Sequence, residues 1–358
     1  MNPSFWRGKR VFVTGHTGFK GSWLCMLLDS FGAQVCGYAL PPPTRPSLFD
    51  LALIGDLVDS TIGDIRDLGS LTTRMAEAAP DVVLHMAAQS VVLASYEDPV
   101  DTYSTNVLGT VHVLEAVRRM HRPCTVINVT TDKCYKNEGW VWGYRESDEL
   151  GGRDPYSNSK ACAELVGLSY GESFFPPHGW SDHRVALASA RAGNVIGGGD
   201  WTARQLIPEA MSAFAQGRPV VLRHPQAVRP WQHVLDCLAG YLSLAEALSG
   251  DPQAFSGAWN FGPSMDGARP VSYIVETLAA HWQVLPAWTQ DEVRHAPEES
   301  QLKLDVSKAA AGLGWRCRLS LDAALAWVAS WYQQHQSGRH ARDLCREQID
   351  AYVAIGSA

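Results

Sequence analysis

A tyrosine and a lysine stand four residues apart, Tyr156 and Lys160, in residues 154–160 (DPYSNSK). Asp154 and Pro155 are typical of a helix start, and four residues make about one helical turn. The phenol and the ammonium are therefore expected on one helix face. A nearby fixed cation stabilises a phenolate, which predicts a Tyr156 pKa lowered from its usual value of about 10. Such a tyrosine can take a proton from a sugar hydroxyl at neutral pH.

A glycine-rich turn follows the apolar residues 10–14, which are expected to form a strand, and precedes the helix-like residues 22–28. Glycine recurs in this turn at every third position. Strand, glycine turn and helix together predict a dinucleotide site, with the diphosphate at the helix N-terminus. An ordinary glycine-rich turn is the alternative, but it does not require three evenly spaced glycines. The residues of the predicted site are Gly15, Thr17, Gly18, Phe19, Lys20 and Gly21.

The composition describes a globular protein with a substantial core, since 46% of the 358 residues are hydrophobic and 19% are charged. A net charge of −7 gives no support to nucleic-acid or anionic-membrane binding. Eight cysteines without a Cys-x-x-Cys pair predict reduced core residues, with neither a disulfide framework nor a metal site. Without a signal peptide or an apolar run long enough to cross a bilayer, a cytoplasmic protein is expected.

Short apolar runs alternate with helical stretches in the first half of the chain. The expected strands are 10–14, 34–38, 57–62, 81–85, 124–130 and 185–191, and the helical stretches include 99–120, 231–249, 271–283, 320–335 and 341–352. This alternation predicts an α/β protein with a Rossmann-type doubly wound parallel sheet. The expected division is a dinucleotide-binding domain at 1–193, to which 231–262 returns, and a smaller, mostly C-terminal substrate lobe at 194–230 and 263–358.

Small or polar residues follow the ends of these expected strands, where ligands of such sheets bind. They are Gly15, Asp64, Ala87, Ala88, Gln89, Thr131, Asp132, Lys133 and Asn194. Each of them alone could be a loop residue. Thr131, Asp132 and Lys133 place a hydroxyl, a carboxyl and an ammonium at one point, which predicts proton-transfer chemistry. A polar loop with a surface ion pair is the alternative for these three residues.

Together these segments resemble the extended short-chain dehydrogenases/reductases. The resemblance rests on residues 14–21, 64–67 (DIRD), 85–89 (HMAAQ) and 156–160. Within that superfamily the chain is more similar to CDP-glucose 4,6-dehydratases, over residues 6 to about 262. The segments that carry this closer resemblance are 15–24 (GHTGFKGSWL), 131–135 (TDKCY), 142–146 (WGYRE), 191–201 (RAGNVIGGGDW) and 229–235 (RPWQHVL).

The resemblance implies conversion of CDP-D-glucose to CDP-4-keto-6-deoxy-D-glucose and water. Tyr156 would take the proton of the C4 hydroxyl while hydride passes to NAD⁺. The 4-ketone acidifies the C5 proton, the C6 hydroxyl leaves as water, and the hydride returns to C6. Thr131 would hold the C4 oxygen, Asp132 would protonate the departing C6 oxygen, and Lys160 would bind the nicotinamide ribose.

Lys133 differs from the related dTDP-glucose enzymes, which carry glutamate at the matching place. A lysine can remove the C5 proton only when it is neutral, which requires a lowered pKa. In the alternative, Lys133 stays charged and stabilises the enolate, while water or another group takes the proton. The role of Lys133 as the base is preferred.

The resemblance also implies cofactor contacts outside the glycine turn. These residues are Asp64, Ile65, Ala87, Ala88, Gln89, Asn106, Tyr156 and Lys160. Asp64 would contact the adenine amino group, although a helix cap is the alternative for this residue. NAD is expected, with NADP left open, because residues 37–40 contain no acid for the ribose 2′-hydroxyl and Arg45 could contact a 2′-phosphate.

An anionic diphosphate requires basic side chains, and arginine binds it in forked geometry. Arg229 and Asn194 match family positions near the diphosphate, and Arg191, Arg204 and Gln89 are further candidates for substrate binding. A surface ion pair is the alternative for Arg204. The choice of cytosine as the base rests on the resemblance alone.

Other functions are compatible with part of this residue pattern. A 4,6-dehydratase of another nucleotide hexose, or a nucleotide-sugar 4-epimerase, would also use Tyr156 and Lys160, but an epimerase does not need residues 131–133. A regulator that senses a dinucleotide needs none of these reacting groups. Helices at 99–120 and 155–172 could pack on a second copy, as in related enzymes, so a homo-oligomer is expected, either dimer or tetramer. Related enzymes supply deoxysugars for cell-surface polysaccharides.

Overall fold

The computed structural model describes residues 1–263, 268–291 and 302–356. The parts of the predicted lobe at 264–267, 292–301 and 357–358 lie outside the described residues. The strands in the described ranges are β1 (Arg10–Thr14), β2 (Gln34–Ala39), β3 (Asp59–Ile62), β4 (Val82–His85), β5 (Cys124–Val129), β6 (Val185–Ala192), β7 (Asn194–Ile196), β8 (Val220–Leu222), β9 (Val228–His233), β10 (Gly257–Phe261), β11 (Ala268–Pro270) and β12 (Trp288–Gln290).

The helices of the described ranges fall mostly between these strands in the chain, with the first before β1 and the last three after β12. They are α1 (Pro3–Trp6), α2 (Phe19–Ser30), α3 (Leu48–Leu51), α4 (Leu68–Ala78), α5 (Val92–Glu97), α6 (Pro99–Tyr103), α7 (Gly109–Arg119), α8 (Pro155–Ser173), α9 (Trp180–His183), α10 (Leu206–Phe214), α11 (Val234–Gly250), α12 (Pro252–Phe255), α13 (Val271–Trp282), α14 (Ser307–Leu313), α15 (Leu321–Gln336) and α16 (Ala341–Ile355). A π turn at Ser104–Leu108 joins α6 to α7, and a 3₁₀ turn at Asp132–Cys134 follows β5.

Seven parallel strands form the central sheet, in the order β3-β2-β1-β4-β5-β6-β10. The strand order reverses between β1 and β4, and ligands of such sheets bind outside that point. The central strands β4, β5 and β6 are buried along their whole length because helices cover both faces. The predicted Rossmann-type sheet is confirmed. Thr14 is paired with His85, and His85 with Asn128, so β1, β4 and β5 end at nearly the same level.

The residues after β6 build two small sheets, β11-β9-β7 and β12-β8. The helix predicted at 231–249 is wrong at its start, because residues 228–233 form β9 and α11 begins only at Val234. The His233 side chain accepts a hydrogen bond from the Leu235 amide and so defines the helix start. After α11 the chain returns to the central sheet as β10, beside β6.

The last helix, α16, lies against the elements that follow β1 and β2. Arg346 forms an ion pair with Asp29 of α2 at 3.4 Å, and Arg342 donates to the Ala52 carbonyl over 2.7 Å. All eight cysteines are free thiols. Among the described residues, no helix has both the length and the apolar character needed to cross a membrane.

Candidate active site

The glycine turn between β1 and α2 is closely packed. Gly15 has a φ of +78°, and a Cβ there would lie 2.8 Å from the Ala87 nitrogen. A Cβ on Gly21 would lie 2.2 Å from the Gly15 carbonyl oxygen. Gly18 precedes α2 and gives it no side-chain cap, so the first amides of α2 keep their hydrogens for a ligand. The turn fits the diphosphate of a dinucleotide, held by the N-terminus of α2.

The loop after β4 is fixed against this turn by the Thr14 hydroxyl. Its oxygen accepts hydrogen bonds from the amides of Met86 and Ala87, at 3.0 and 3.1 Å. The same oxygen lies 2.8 Å from His85 Nδ1. Burial, and then the charge of Lys160, lower the pKa of His85 to about 3, so its ring is neutral. The Thr110 hydroxyl donates to the Asn106 carbonyl and so accepts from His85 Nε2, which leaves Nδ1 to accept a hydrogen bond from Thr14.

Asn106 and Gln89 support the site from inside the protein. Asn106 lies in the π turn and is 1% exposed; it accepts from the Gln89 amide and donates to the Gln89 carbonyl, both at 2.9 Å. It also donates to Ser159 of α8 over 2.8 Å. The Gln89 side chain bonds Thr102 and the Val91 amide. These polar groups hold the loop after β4 against α8, and the ligand contacts of the two side chains stay predictions.

The Asp64 carboxylate after β3 is held by Arg66, whose Nε and backbone amide donate to Asp64 Oδ1 at 3.0 and 2.8 Å. These hydrogen bonds, against a smaller effect of burial, lower the pKa of Asp64. Asp67, not Asp64, caps α4 by accepting from the Ser70 amide, so the helix-cap alternative for Asp64 is wrong. Ile65 is buried. The adenine contacts of Asp64 and Ile65 stay predictions.

Tyr156 is held at the first turn of α8. Asp154 caps this helix by accepting from the Ser157 amide, as predicted, and the Tyr156 amide donates to the Ser95 hydroxyl of α5 over 3.1 Å. One turn later, Lys160 Nζ donates to the carbonyl of the last β5 residue over 3.1 Å. The phenol and the ammonium are thus fixed on one helix face at the carboxyl end of β5.

Burial controls the ionisation of both side chains. It raises the pKa of Tyr156, while a hydrogen bond with Thr131 opposes this rise and the Asp132 charge adds to it. Burial, and then the charge of Lys20, lower the pKa of Lys160 to about 8. The predicted lowering of the Tyr156 pKa by Lys160 is therefore wrong for the protein alone. The phenol is protonated at neutral pH unless a bound ligand adds positive charge.

The turn at 131–133 lies directly against Tyr156. The Thr131 hydroxyl donates to Asp132 Oδ1 over 3.0 Å, accepts from the Lys133 amide over 3.3 Å and hydrogen-bonds the Tyr156 phenol. Asp132 is only 2% exposed, whereas Lys133 is half-buried. A Cβ on Gly193 would lie 2.8 Å from Asp132 Oδ2. The structure thus places a phenol, a hydroxyl and a carboxyl in one chain of contacts.

Arg191 does not belong to a substrate surface. Its guanidinium is 2% exposed and forms an ion pair with Glu164, which is 1% exposed, at 3.0 Å. Burial by itself lowers the pKa of Arg191, but the charge and hydrogen bond of Glu164, together with Cys134 and Tyr135, offset burial and raise the pKa above its usual value. The predicted substrate contact is wrong, because the guanidinium is buried and donates to Glu164, to the Tyr135 hydroxyl and to the Glu146 carbonyl inside the protein. Glu164 was missed, although it lies four residues beyond Lys160 and so on the same helix face.

Arg204 forms an exposed ion pair with Glu97 of α5 at 2.7 Å, the alternative considered for it. Contact with a substrate would require this pair to open. Arg229 is half-buried on β9 and donates to the Val228 carbonyl over 3.1 Å. Asn194 begins β7, beside β9. The substrate contacts of Arg229 and Asn194 stay predictions.

The chain is similar over nearly its whole length to known nucleotide-sugar enzymes. Residues 12–327 match the family model described as GDP-mannose 4,6 dehydratase. The CDP-glucose 4,6-dehydratase of Salmonella typhimurium is 48% identical over 354 residues, which cover 99% of each chain. The chain belongs to the 4,6-dehydratase family.

Solved structures of nucleotide-sugar enzymes share the fold of this dehydratase family member. The dTDP-glucose 4,6-dehydratase from Streptomyces venezuelae, solved with NAD bound, superposes with a TM-score of 0.76 at 24% identity and covers 91% of this chain and 98% of its own. The UDP-glucose 4-epimerase of Thermotoga maritima, solved with UDP-glucose, gives 0.78 at 19% identity, with 91% and 99% covered. At these identities the likeness establishes the fold alone.

Proposed function

We propose that this dehydratase converts CDP-D-glucose to CDP-4-keto-6-deoxy-D-glucose and water, with NAD as a cofactor that is regenerated in each cycle. The observation that carries the proposal is the contact chain from the Tyr156 phenol through the Thr131 hydroxyl to the Asp132 carboxyl. A phenol serves oxidation at C4, and a carboxylic acid serves loss of the C6 hydroxyl. The 48% identity to the Salmonella CDP-glucose enzyme supports CDP as the nucleotide.

Each residue of the site has a defined task in this proposal. Bound NAD⁺ supplies a hydride acceptor and a positively charged ring. Tyr156 takes the proton of the C4 hydroxyl, and Thr131 holds the C4 oxygen against it. Asp132 gives a proton to the departing C6 oxygen, and Lys160 holds the nicotinamide ribose. Lys133 removes the C5 proton, or else stabilises the enolate as a cation; the role of base is preferred.

The proposed cofactor is NAD, which lacks the 2′-phosphate of NADP. The glycine turn provides backbone amides and close packing for a diphosphate. Residues 37–40, at the end of β2, contain no carboxylate for the 2′-hydroxyl, and Arg45 is exposed just beyond them. NAD is chosen because family relatives bind it. Retention of NAD, and not NADP, on the purified protein would support this choice.

One labelling experiment tests the reaction. The protein is given CDP-, dTDP-, UDP- and GDP-glucose in turn, and loss of water is followed by mass spectrometry. CDP-glucose is expected to react fastest. With deuterium at C4 of CDP-glucose, the label is expected at C6 of the same product molecule. Label retained at C4 of an epimerised sugar would favour a 4-epimerase, and label lost to free cofactor would contradict the mechanism.

The division of labour between the domains is also proposed. Residues 1–193, with 231–262, bind the dinucleotide, and residues 194–230 and 263–358 bind the nucleotide sugar, although α16 packs on α2. From the family we also propose that the protein acts in the cytoplasm and that its product is used to make deoxysugars for cell-surface polysaccharides. Cell fractionation with an antibody tests the compartment.

A homo-oligomer formed through the outer faces of α5, α6 and α8 is proposed. Apolar side chains are exposed there: Leu93, Tyr96, Val100, Tyr103, Leu108, Leu165, Leu168 and Phe174. Residues 99–108 also line a surface depression of about 420 Å³. Exposed apolar patches of this kind mark interfaces between proteins. A dimer needs one such face on each copy, and a tetramer needs a second face.

Val100→Asp is expected to shift the protein to monomers, because Val100 is 76% exposed at the centre of this patch and a carboxylate cannot be buried there unpaired. Sedimentation at equilibrium measures the mass. Leu285→Asp is the matched control, since Leu285 is 91% exposed on the small lobe, away from α5, α6 and α8. Equal masses for wild type and the Val100 variant would exclude this face.

A further inference from the structure

Both ends of the reacting turn are tied to one buried ion pair. The Thr130 hydroxyl donates to Glu164 Oε1, and Arg191 donates to Glu164 Oε2 over 3.0 Å. Arg191 also donates to the Tyr135 hydroxyl over 2.7 Å. Thr130 comes directly before residues 131–133, and Tyr135 closely follows them. The four residues Thr130, Tyr135, Glu164 and Arg191 are called the brace.

The brace is rigid because each member is held in more than one way. The Arg191 guanidinium lies over the Tyr135 ring, 4.8 Å from its centroid, and donates to the Glu146 carbonyl over 3.1 Å. The Tyr135 hydroxyl in turn donates to Asn260 over 2.7 Å. A buried ion pair contributes little net stability compared with apolar packing, but the hydrogen bonds from Arg191 to Glu164, to the Tyr135 hydroxyl and to the Glu146 carbonyl fix the positions of these partners. Its position here therefore suggests control of geometry.

The brace connects the turn to the helix that carries the other reacting groups. Tyr156, Lys160 and Glu164 lie on α8 at intervals of four residues, and so on one face. The hydrogen bond between Thr130 and Glu164 therefore fixes the position of Thr130, directly after β5, relative to α8. Tyr156 and Lys160 have anchors of their own, the Ser95 hydroxyl and a β5 carbonyl. Loss of the brace would therefore move the turn more than the phenol.

We propose that the brace is a positioning device for the elimination stage, resting on the function proposed above. It holds the Asp132 carboxyl at a fixed position relative to Tyr156. The carboxyl then lies close enough to protonate the C6 oxygen of the oxidised sugar. None of the four residues touches the substrate in this role. Displacement of an acid by a fraction of a bond length slows proton transfer strongly. The brace thus acts on water loss more than on oxidation at C4.

Thr130→Val tests the proposal with a small change, since it removes one hydroxyl, keeps the side-chain shape and leaves the ion pair of Arg191 and Glu164 in place. The kcat for water loss is expected to fall by about tenfold or more, with KM for CDP-glucose within about twofold. Reduced cofactor should accumulate on the enzyme during turnover, seen by its absorbance. The isotope effect of deuterium at C4 on kcat should shrink, because elimination becomes limiting. Thr130→Ser should restore all of these.

Thr125→Val is the matched control. Thr125 is a buried threonine at the other end of β5, and its hydroxyl bonds Ser249 at 2.8 Å. This variant should lose some stability but keep the wild-type isotope effect and cofactor spectrum. Glu164→Gln combined with Arg191→Met provides a second test, because it removes the ion pair without leaving a buried charge. It should accumulate reduced cofactor as Thr130→Val does.

The outcomes separate the two proposals. If the wild type releases water but Thr130→Val keeps the wild-type isotope effect and cofactor spectrum, the brace proposal is overturned alone. The same holds if Thr130→Val loses activity only in proportion to its loss of folded protein. If the wild type itself forms no dehydrated sugar, the proposed function is overturned and the brace proposal with it.

Discussion

Tyr156→Phe is expected to lower kcat for dehydration by about 10²- to 10⁴-fold, the usual contribution of a positioned acid–base group. The phenol is the group that takes the C4 proton, and without it hydride cannot leave C4 at a useful rate. The fold should persist, because phenylalanine fills the same buried space and loses only the hydrogen bond with Thr131. Cofactor binding should persist too, since the glycine turn and Lys160 are unchanged. The rate is measured by mass spectrometry, and bound cofactor by its release on denaturation.

Tyr170→Phe is the control for this variant, because Tyr170 lies on the same helix, α8, about four turns further on, against Phe174 and Phe175. It should turn over at the wild-type rate. No accumulation of reduced cofactor is expected in Tyr156→Phe, since the block precedes hydride transfer. Turnover within a few-fold of wild type would remove Tyr156 from the proposed role.

The sequence predicts well those parts of the fold that depend on interactions between residues close together in the chain. The central strands are continuous apolar runs because helices cover both faces of a parallel sheet, and their predicted ends lie within two residues of those found. The glycine turn can be predicted from the sequence because Gly15 has a positive φ and closely approaches Ala87, and both features require glycine. The helix start at Asp154 and Pro155 follows from capping alone.

The errors concern residues whose partners come from distant segments. Residues 231–233 were predicted to be helical, but they form the end of β9 and pair with β7, which no local pattern shows. Arg191 has the charge that a diphosphate needs, yet it is buried and forms an ion pair with Glu164, from a helix packed on the sheet. The residue type shows that a side chain can bind an anion, but the packing of the folded protein determines which anionic group it contacts.

The ionisation of Tyr156 was misjudged for a related reason. The spacing of Tyr156 and Lys160 indicates a cation near the phenol, but it says nothing of how deeply the pair is buried. In the structure burial raises the Tyr156 pKa and lowers that of Lys160 to about 8. The sign of a pKa shift depends on desolvation as much as on the neighbouring charge.

Asp132→Asn is expected to stop the reaction after its first stage. Asparagine can still accept the hydrogen bond from Thr131, so the turn should keep its place beside Tyr156. An amide cannot give a proton to the departing C6 oxygen, so water loss should slow by about 10²-fold or more. Oxidation at C4 needs only Tyr156 and the cofactor, and should continue. Reduced cofactor should therefore build up on the enzyme, together with a 4-keto sugar that still carries its C6 hydroxyl.

Rapid mixing with CDP-glucose, followed by absorbance and by mass spectrometry of the quenched sugar, separates these stages. Asp67→Asn is the matched control, because Asp67 only caps α4 and asparagine caps a helix equally well. It should show wild-type kinetics. If Asp132→Asn instead slows C4 oxidation and no reduced cofactor accumulates, Asp132 serves the first stage and another group must protonate the leaving oxygen. Half-buried Lys133, one residue further on, is then the next side chain to substitute.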